Sequence, residues 1–201
     1  MKIFMAIVTL VFCLHHLNGQ TPVMNHLFKD KANEYCLFIN PAFQLSEIAL
    51  QYSAISAICA GVIINKKIVA GALYNFTLND LPIPESQGSG MLQMKMGGIR
   101  FEYTLWPKEK VHLTIPLSIG VGRLKIIENT TRLLEGNPSF SFAEPGLMLE
   151  INILKYAKLG IGTSYRYMSH LYYNSLTAND LKGFNAVASV KFGMFNHSES
   201  E

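Results

Sequence analysis

Seven charged or titratable side chains occupy positions inside otherwise apolar stretches of this 201-residue chain. They are three acids, three bases that stay charged at neutral pH, and one histidine: Arg100, Glu102, His112, Glu144, Glu150, Arg166 and Lys191. Side chains of these types form salt bridges, relay protons, or act as acid and base in catalysis. The elements that carry them decide which chemistry applies.

The stretch 143–167 shows what such an element looks like. On both sides of a short break at 154–158, aliphatic or aromatic residues alternate with glycine and polar residues. Alternation with period 2 across a short turn predicts a β-hairpin. Its apolar face includes Ile151, which we place near mid-bilayer, and its other face mixes glycine with Glu150, Asn152 and Arg166. A glycine-lined charged face suits a narrow interior, which suggests a barrel with lipid outside and a polar lumen.

The same alternation recurs along the chain and predicts eight strands within residues 34–195. We place their starts near Glu34, Tyr52, Ile68, Gln93, Val111, Leu147, Leu159 and Phe184. Connections after strands two, four and six are short, the one after strand one is intermediate, and the others, including 123–139, are long and polar. Short periplasmic turns and longer outer loops are typical of outer-membrane barrels. The predicted fold is all-β: an eight-stranded antiparallel transmembrane β-barrel of the outer membrane.

Composition and the first residues agree with export to a membrane. Of the chain, 49% is hydrophobic and 15% charged, and the net charge of +3 is too small to indicate a nucleic-acid partner. Lys2, the apolar run 3–14 and Asn18-Gly19 predict a cleaved signal peptide over residues 1–19. Residues 20–33 would be a periplasmic lead-in and 196–201 a short tail. The predicted location is the bacterial outer membrane.

Four segments of the sequence resemble a known group of proteins. They are AGVIINKKIVAGALYN, IRFEYTLWPKEKVHLTIPLSIGVG, AEPGLMLEINILKYAKLGIGTSYRY and VKFGMF. Together they resemble the small outer-membrane β-barrel family common in Bacteroidetes, over roughly residues 34–195. The resemblance implies fold and location, and the family carries no assigned reaction. A barrel of this kind has outer-membrane lipid, lipopolysaccharide and, during insertion, the barrel-assembly machinery as partners.

A salt-bridged lumen is the favoured interpretation of the seven charged residues. Eight strands make a barrel only wide enough for side chains to fill, and unpaired charges there would be costly. Counting residues around the 154–158 turn puts Arg166 opposite Gly146, with Glu144 and Met148 diagonal to it and Glu144 as its partner. We therefore expect a structural, adhesive or surface-binding barrel that acts through its loops and is neither a porin nor an enzyme.

Two other function classes stay open. One is a lipid-modifying outer-membrane enzyme, an acyl hydrolase or transferase, with a Ser-His-acid set drawn from His112, Ser118 or Ser164, and Glu102 or Glu150. His112 and Ser118 lie six residues apart on one strand, about 20 Å, and cannot touch. The other is a soluble, secreted lipocalin-like barrel that binds a small ligand and has the reverse polarity of faces. We predict no catalytic residue, no cofactor and no metal site.

Cysteines, aromatic residues and prolines complete the predictions. A disulfide between Cys36 and Cys59 is possible, but treatment as two small buried hydrophobic residues is favoured. An aromatic belt is expected at the periplasmic strand ends, formed by Tyr103, Trp106, Tyr156, Phe192 and Phe195. Bulges are expected at the prolines inside strands, namely Pro41, Pro116 and Pro145.

Overall fold

The computed structural model describes residues 34–48, 51–82, 90–128, 134–169, 171–173 and 176–195. The predicted signal peptide (1–19), lead-in (20–33) and tail (196–201) lie outside these residues. Among the described residues, no helix is long and apolar enough to cross a membrane.

Eight long strands form the barrel, and we number them in chain order. They are β1 Tyr35–Ile48, β2 Gln51–Ile64, β3 Ile68–Thr77, β4 Gly90–Leu105, β5 Val111–Glu128, β6 Ser139–Leu154, β7 Ala157–Ser169 and β8 Gly183–Gly193. Each is antiparallel to the next, and β8 pairs with β1 through contacts such as Ala188 opposite Phe43. This last pairing closes the sheet, so the predicted eight-stranded antiparallel barrel is confirmed.

The two ends of the barrel differ in how the strands are connected. At one end, which we call the short-turn end, β2, β4 and β6 turn at 65–67, 106–110 and 155–156. Asn65 and Lys66 both have positive φ, as a type I′ hairpin turn requires, and this turn matches the twist of the strands. At the other end, the long-connection end, short strands Leu81–Pro82, Leu134–Gly136, Tyr172–Tyr173 and Leu176–Thr177 and a 3₁₀ helix Ala178–Leu181 extend the structure.

Several predicted boundaries are wrong in the same direction. The strands run farther toward the long-connection end than the apolar alternation suggests: β1 reaches Ile48, β5 reaches Glu128 and β4 begins at Gly90. The predicted loop 123–139 therefore contains strand, and the connection after β1 is the short 49–50 rather than an intermediate loop. The predicted turn 154–158 shrinks to 155–156, with an irregularity between Asn152 and Leu154.

The strand faces have the polarity predicted from the alternation. Ile161 and Tyr167 point outward and are about half exposed, at 56% and 53%, whereas the inward Arg166 is 0% exposed. In water, exposing a continuous aliphatic band and burying charge would be strongly unfavourable, but against lipid it is the stable arrangement. The soluble lipocalin-like alternative does not fit this polarity of faces.

The polarity reverses where the strands pass beyond this apolar band. On β5, Arg123 and Lys125 point outward and are exposed, while Leu124 and Ile126 point inward and are 0% and 1% exposed. Such a segment has an apolar interior and a wet exterior, as a soluble β-barrel does. A search for lipid-facing apolar alternation therefore ends each strand too early.

The prolines produce no register shift. Pro41 pairs with Ile58, Pro116 with Glu102 and Pro145 with Leu117, each in the same register as its flanking pairs. The predicted bulges at these positions are therefore wrong. The irregularities of the described strands lie instead at Ile126/Ile127 and Asn152/Leu154, next to connections, where the chain is already leaving the ladder.

Candidate functional site

The barrel lumen holds the seven residues predicted from the sequence, and all of them are buried. Their exposed fractions run from 0% for Arg166 to 6% for Arg100. The structure divides them into two networks. The upper network, nearer the long-connection end, contains Arg166 and Glu144. The lower network, nearer the short turns, contains the other five: Arg100, Glu102, His112, Glu150 and Lys191.

Arg166 of β7 is the centre of the upper network. Its Nε donates to Glu144 Oε2 at 3.2 Å, and Nη1 and Nη2 donate to Ser46 Oγ at 3.3 Å and Asn185 Oδ1 at 3.0 Å. Nη2 also donates to Gln44 Oε1 at 3.4 Å. The guanidinium thus joins β7 to β6, β1 and β8 across the lumen, a task suited to its planar set of donors.

Glu144 has partners of its own besides Arg166. Ser164 Oγ donates to its Oε1 at 2.7 Å, and Gln44 Nε2 donates to the same oxygen at 3.4 Å. Both carboxylate oxygens are therefore hydrogen-bonded, as burial of a polar group requires.

The predicted position of Arg166 along β6 is wrong by two residues. Ala143 lies opposite Tyr167 and Gly146 opposite Ser164, so the register places Glu144 level with Arg166. The count from the sequence puts Gly146 there, because it assumes a longer turn. A shift of two preserves the face, so Glu144 is still the residue that pairs with Arg166.

Lys191 of β8 is the centre of the lower network. Its Nζ lies 2.6 Å from Glu102 Oε2 and 2.6 Å from Glu150 Oε1, and so bridges β4 and β6. Arg100 Nε donates to the other oxygen of Glu102 at 2.7 Å. His112 Nε2 lies 3.2 Å from the other oxygen of Glu150. Two carboxylates and three cationic or titratable groups thus share one connected network.

Lys158 is a member of the lower network that the sequence did not reveal. Its Nζ lies 3.5 Å from His112 Nε2 and 4.5 Å from the centre of the Phe195 ring. The sequence pattern assigns Lys158 to the turn, whereas the shorter turn places it in β7 on the inward phase. Phe195 is expected in the aromatic belt, but it is only partly exposed and packs against buried apolar side chains near the short-turn end.

An apolar layer fills the lumen between the upper network and the long connections. Its members are all less than 5% exposed and belong to one cluster: Ile48, Ile55, Leu92, Met94, Leu124, Phe140, Phe142, Met168, Leu171 and Leu181. Along β6 the inward residues include, in order, Phe140, Phe142, Glu144 and Glu150, so the layer lies above both networks. Between the networks, a cavity of about 10 Å³ remains beside Gln44, Arg100 and Glu144, room for about one water.

The residues weighed for catalysis do not come together as a Ser-His-acid set. Ser164 donates its hydroxyl to Glu144 in the upper network, while His112 contacts Glu150 and Lys158 in the lower one. Ser118 lies opposite Glu144 and Arg100. A catalytic histidine must touch both the nucleophile and the acid, and His112 touches neither serine.

Neither a metal cluster nor a disulfide occurs in the part of the chain that the structure describes. No three His, Cys, Asp or Glu side chains there are placed to hold a metal ion. Cys36 and Cys59 are both free; the register puts Ile63 opposite Cys36 and Asn40 opposite Cys59. The two cysteines are thus four positions apart along the ladder, about 13 Å, which is too far for a disulfide.

Solved structures with the same closed barrel belong to outer-membrane proteins. Neisserial surface protein A (NspA) superposes with a TM-score of 0.58 at 13% identity, covering 80% of this chain and 98% of that one. A major outer membrane protein from Thermus thermophilus gives a TM-score of 0.56 at 7% identity, covering 80% and 99%. The chain has the fold of an eight-stranded outer-membrane β-barrel.

A third similar barrel is Ail, the attachment invasion locus protein of Yersinia pestis. One of its structures matches with a TM-score of 0.51 at 13% identity, covering 80% of this chain and 98% of that chain. No protein-family model and no curated protein sequence matches this chain. At these low identities the shared feature is the barrel fold.

Proposed function

We propose that this protein is a non-conducting barrel of a bacterial outer membrane, and that it works through the surface built at its long-connection end. The observation that carries the proposal is the occupied lumen. An apolar layer and two paired networks lie one above the other along the barrel axis, and the cavity described between the networks holds only about 10 Å³. A partner in water can then reach the protein only at the two ends of the barrel, beyond the band that faces lipid.

The outward face supports the membrane location. From Val111 to Val121, the outward residues of β5 are all aliphatic, and the first charge on this face is Arg123. At ~3.3 Å per residue and a tilt of about 40°, this stretch spans about 25 Å, the height of the apolar band in outer-membrane barrels. Export by a cleaved signal peptide, insertion by the assembly machinery, and contact with lipopolysaccharide belong to this proposal.

Aromatic residues flank that band at both ends. The short-turn end carries Tyr103, Trp106, Tyr156 and Phe192, as expected from the sequence, all exposed. The long-connection end carries a second set, in which the Tyr165 ring lies 4.6 Å from the Tyr167 ring and 4.8 Å from the Phe184 ring. Two such girdles are typical of a barrel in a bilayer.

We further propose a structural or adhesive role, and membership of the small barrels common in Bacteroidetes. The family proposal is supported by the four sequence segments named above. The adhesive role is supported by one structural neighbour, since Ail is an attachment invasion locus protein and was solved with the heparin analogue sucrose octasulfate. We propose no enzymatic activity, because His112 has an acid and a lysine beside it but no serine.

The experiment compares two variants that carry the same short peptide tag at different places. Both are expressed in a bacterial strain that lacks adhesins. One variant carries the tag in place of residues 83–89, which join Pro82 to Gly90, and the other in place of residues 107–110, in a short turn. We expect both in the outer-membrane fraction with heat-modifiable migration, and only the first tag to be stained on intact cells. Cells with the unmodified protein should bind immobilised heparin, and the 83–89 variant should bind less than the 107–110 variant.

Other results would contradict specific parts of the proposal. If the protein is found in the soluble periplasmic fraction, the proposed outer-membrane location is wrong. If the 107–110 tag is stained on intact cells, the short-turn end faces the outside and the proposed orientation is wrong. If the unmodified protein binds no heparin and promotes no attachment to host-cell surfaces, the adhesive role is wrong and a structural role remains.

A further inference from the structure

Three basic side chains lie together on the outside of the barrel, just above the apolar band. Lys95 of β4 lies directly opposite Arg123 of β5, and Lys125 lies two residues farther along β5, opposite Gln93. All three point outward and are exposed. We call Lys95, Arg123 and Lys125 the basic cluster.

The basic cluster is electrostatically unbalanced. Like charges directly opposite each other in an antiparallel pair destabilise the sheet, and Lys95 and Arg123 are such a pair. Within the described ranges, no acidic side chain forms an ion pair with any member of the cluster. Asp80, an acid beside this part of the sheet, accepts a hydrogen bond from Gln93 Nε2 at 2.6 Å rather than from a member of the cluster. An anion from outside the chain would relieve this repulsion.

The cluster belongs to a groove at the height where lipid headgroups lie. The groove is open to the outside, has a volume of about 670 Å³ and is lined by the three basic residues together with Tyr74, Val121 and Ser139. Beside the cluster on β3, Phe76 lies opposite Lys95 and its ring is 6.0 Å from that of Tyr74. Aromatic residues on the outer face of a barrel mark the lipid–water boundary. The groove is therefore open to a headgroup whose acyl chains extend down the apolar band.

Two described strands on the far side of the barrel, β1 and β7, carry no basic residue at the corresponding outward position. On β1, the outward residue at the end of the apolar band is the exposed acid Glu47, and on β7 it is Ser169. A general attraction to an anionic surface would not need this asymmetry. Three cations on one wall match a single ligand that carries several negative charges.

We propose that the basic cluster binds the headgroup of an outer-leaflet lipid that carries two or more phosphates, of the lipid A class. Arg123 supplies a planar donor pair for phosphate oxygens, and the two lysines supply point charges on either side of it. A lipid with one phosphodiester leaves two of the three cations without a counter-ion, so it fits less well. The proposal rests on the outer-membrane location proposed above.

The test uses the full barrel refolded into phosphatidylcholine vesicles, with diphosphoryl lipid A added as the probe. One variant combines Lys95→Gln, Arg123→Gln and Lys125→Gln. Its matched control combines Lys67→Gln, Lys108→Gln and Lys110→Gln, which removes the same charge from exposed positions at the short-turn end. We expect lipid A to raise the unfolding midpoint of the unmodified protein and of the control, and the cluster variant to bind it on the order of 100-fold more weakly.

Each other outcome overturns the proposal in a distinguishable way. If phosphatidylglycerol at equal negative charge gives the same shift, the cluster responds to surface charge alone. If the cluster variant and the control lose equal affinity, the position of the cluster is irrelevant. If soluble heparin binds the cluster and lipid A does not, the ligand is a glycan. If the unmodified protein inserts into no vesicle, the membrane location itself is wrong.

Discussion

Lys191 and Arg166 show how a narrow lumen accommodates charge. Each cation reaches at least two other strands, and each carboxylate accepts from more than one donor. Removing a charge from water costs several kcal/mol, and only good geometry and complete hydrogen bonding recover that cost. The two networks therefore stabilise this barrel only as complete sets.

Removal of Arg166 alone should be strongly destabilising. The Arg166→Met variant keeps most of the side-chain length but leaves Glu144 buried without its cation, which costs on the order of 3–5 kcal/mol. The double variant Arg166→Met/Glu144→Gln should recover much of this loss, because the remaining amide is neutral and Ser164 still lies beside it. The measurement is the free energy of unfolding in urea in detergent micelles, with the folded fraction read from heat-modifiable migration on a gel.

Lys108→Met is the control for that experiment, since Lys108 is an exposed residue of a short turn. Exposed substitutions of this kind change the free energy of unfolding by about 0.5 kcal/mol or less. Equal stability of the single Arg166 variant and the control would mean that the upper network contributes nothing.

The sequence revealed the inward charges because each lies in phase with glycine or small polar residues between apolar neighbours. It did not reveal their partners, because partners depend on register, and register depends on turn length. The turn at 155–156 is shorter than predicted, and that one error moved Arg166 by two positions and hid Lys158. Gln44, Ser46 and Asn185 were missed for a related reason, since uncharged polar residues give no signal before the strands are aligned.

At the scale of the strand, exposure to lipid changes along a single element. Outward residues of β5 pass from Val111 at the short-turn end, through Leu117, to Arg123 above the band. The register between β5 and β6 places Ile151 opposite Val111, at the edge of the apolar band. The expectation that Ile151 lies near mid-bilayer is therefore wrong.

Depth should decide the cost of a lipid-facing charge. Leu117→Lys places a lysine near mid-bilayer and should cost about 2–4 kcal/mol, whereas Val111→Lys, at the edge of the same strand face, should cost about 0–1 kcal/mol. Both variants add the same charge to the same face, so each controls for the other. Folding into vesicles under a urea gradient measures the difference; equal costs would show that the band does not span β5 as described.

Close approach between strands depends on glycine at the inward face of β4. A Cβ atom at Gly98 would overlap the backbone carbonyl of Ile119 on β5, and backbone cannot move aside as a side chain can. At the neighbouring Gly97, which points outward, the nearest atom to an added Cβ lies 3.9 Å away, an ordinary contact.

Gly98→Ala should therefore destabilise the barrel and Gly97→Ala should not. Overpacking of a tight contact typically costs about 1–3 kcal/mol. Gly98→Ala should therefore lower the urea midpoint of unfolding, while the protein that still folds should migrate on the gel as the unmodified barrel does. The second variant is the matched control, one residue away. If both variants fold with equal midpoints, β4 and β5 are farther apart than the structure places them.

The whole molecule is a closed sheet whose interior changes character along its axis. The strand count and the polarity of faces could be predicted, because lipid imposes one pattern on every strand. The apolar layer could not, because Phe140, Phe142 and Met168 lie beyond the band, where the faces exchange roles. A pattern search tuned to lipid-facing strands assigns such segments to loops.

Conduction tests the arrangement of the whole barrel. Eight strands leave a lumen that side chains fill, whereas water-filled porins need about 16 to 18 strands. Here two networks and the apolar layer lie in series, so we expect no steady conductance from the purified protein in planar bilayers. A porin of about 16 strands in the same bilayers serves as the positive control.

A variant separates the two barriers within the lumen. Phe140→Ala, Phe142→Ala and Met168→Ala together thin the apolar layer and leave Arg166, Glu144 and the lower network in place. Because the paired charges still occupy the barrel cross-section, this variant should also fail to conduct. Uniform openings from the variant alone would show that the apolar layer is the sole seal and that water crosses the networks. Uniform openings from the unmodified protein would show that the lumen is open, and the non-conducting function would then be wrong.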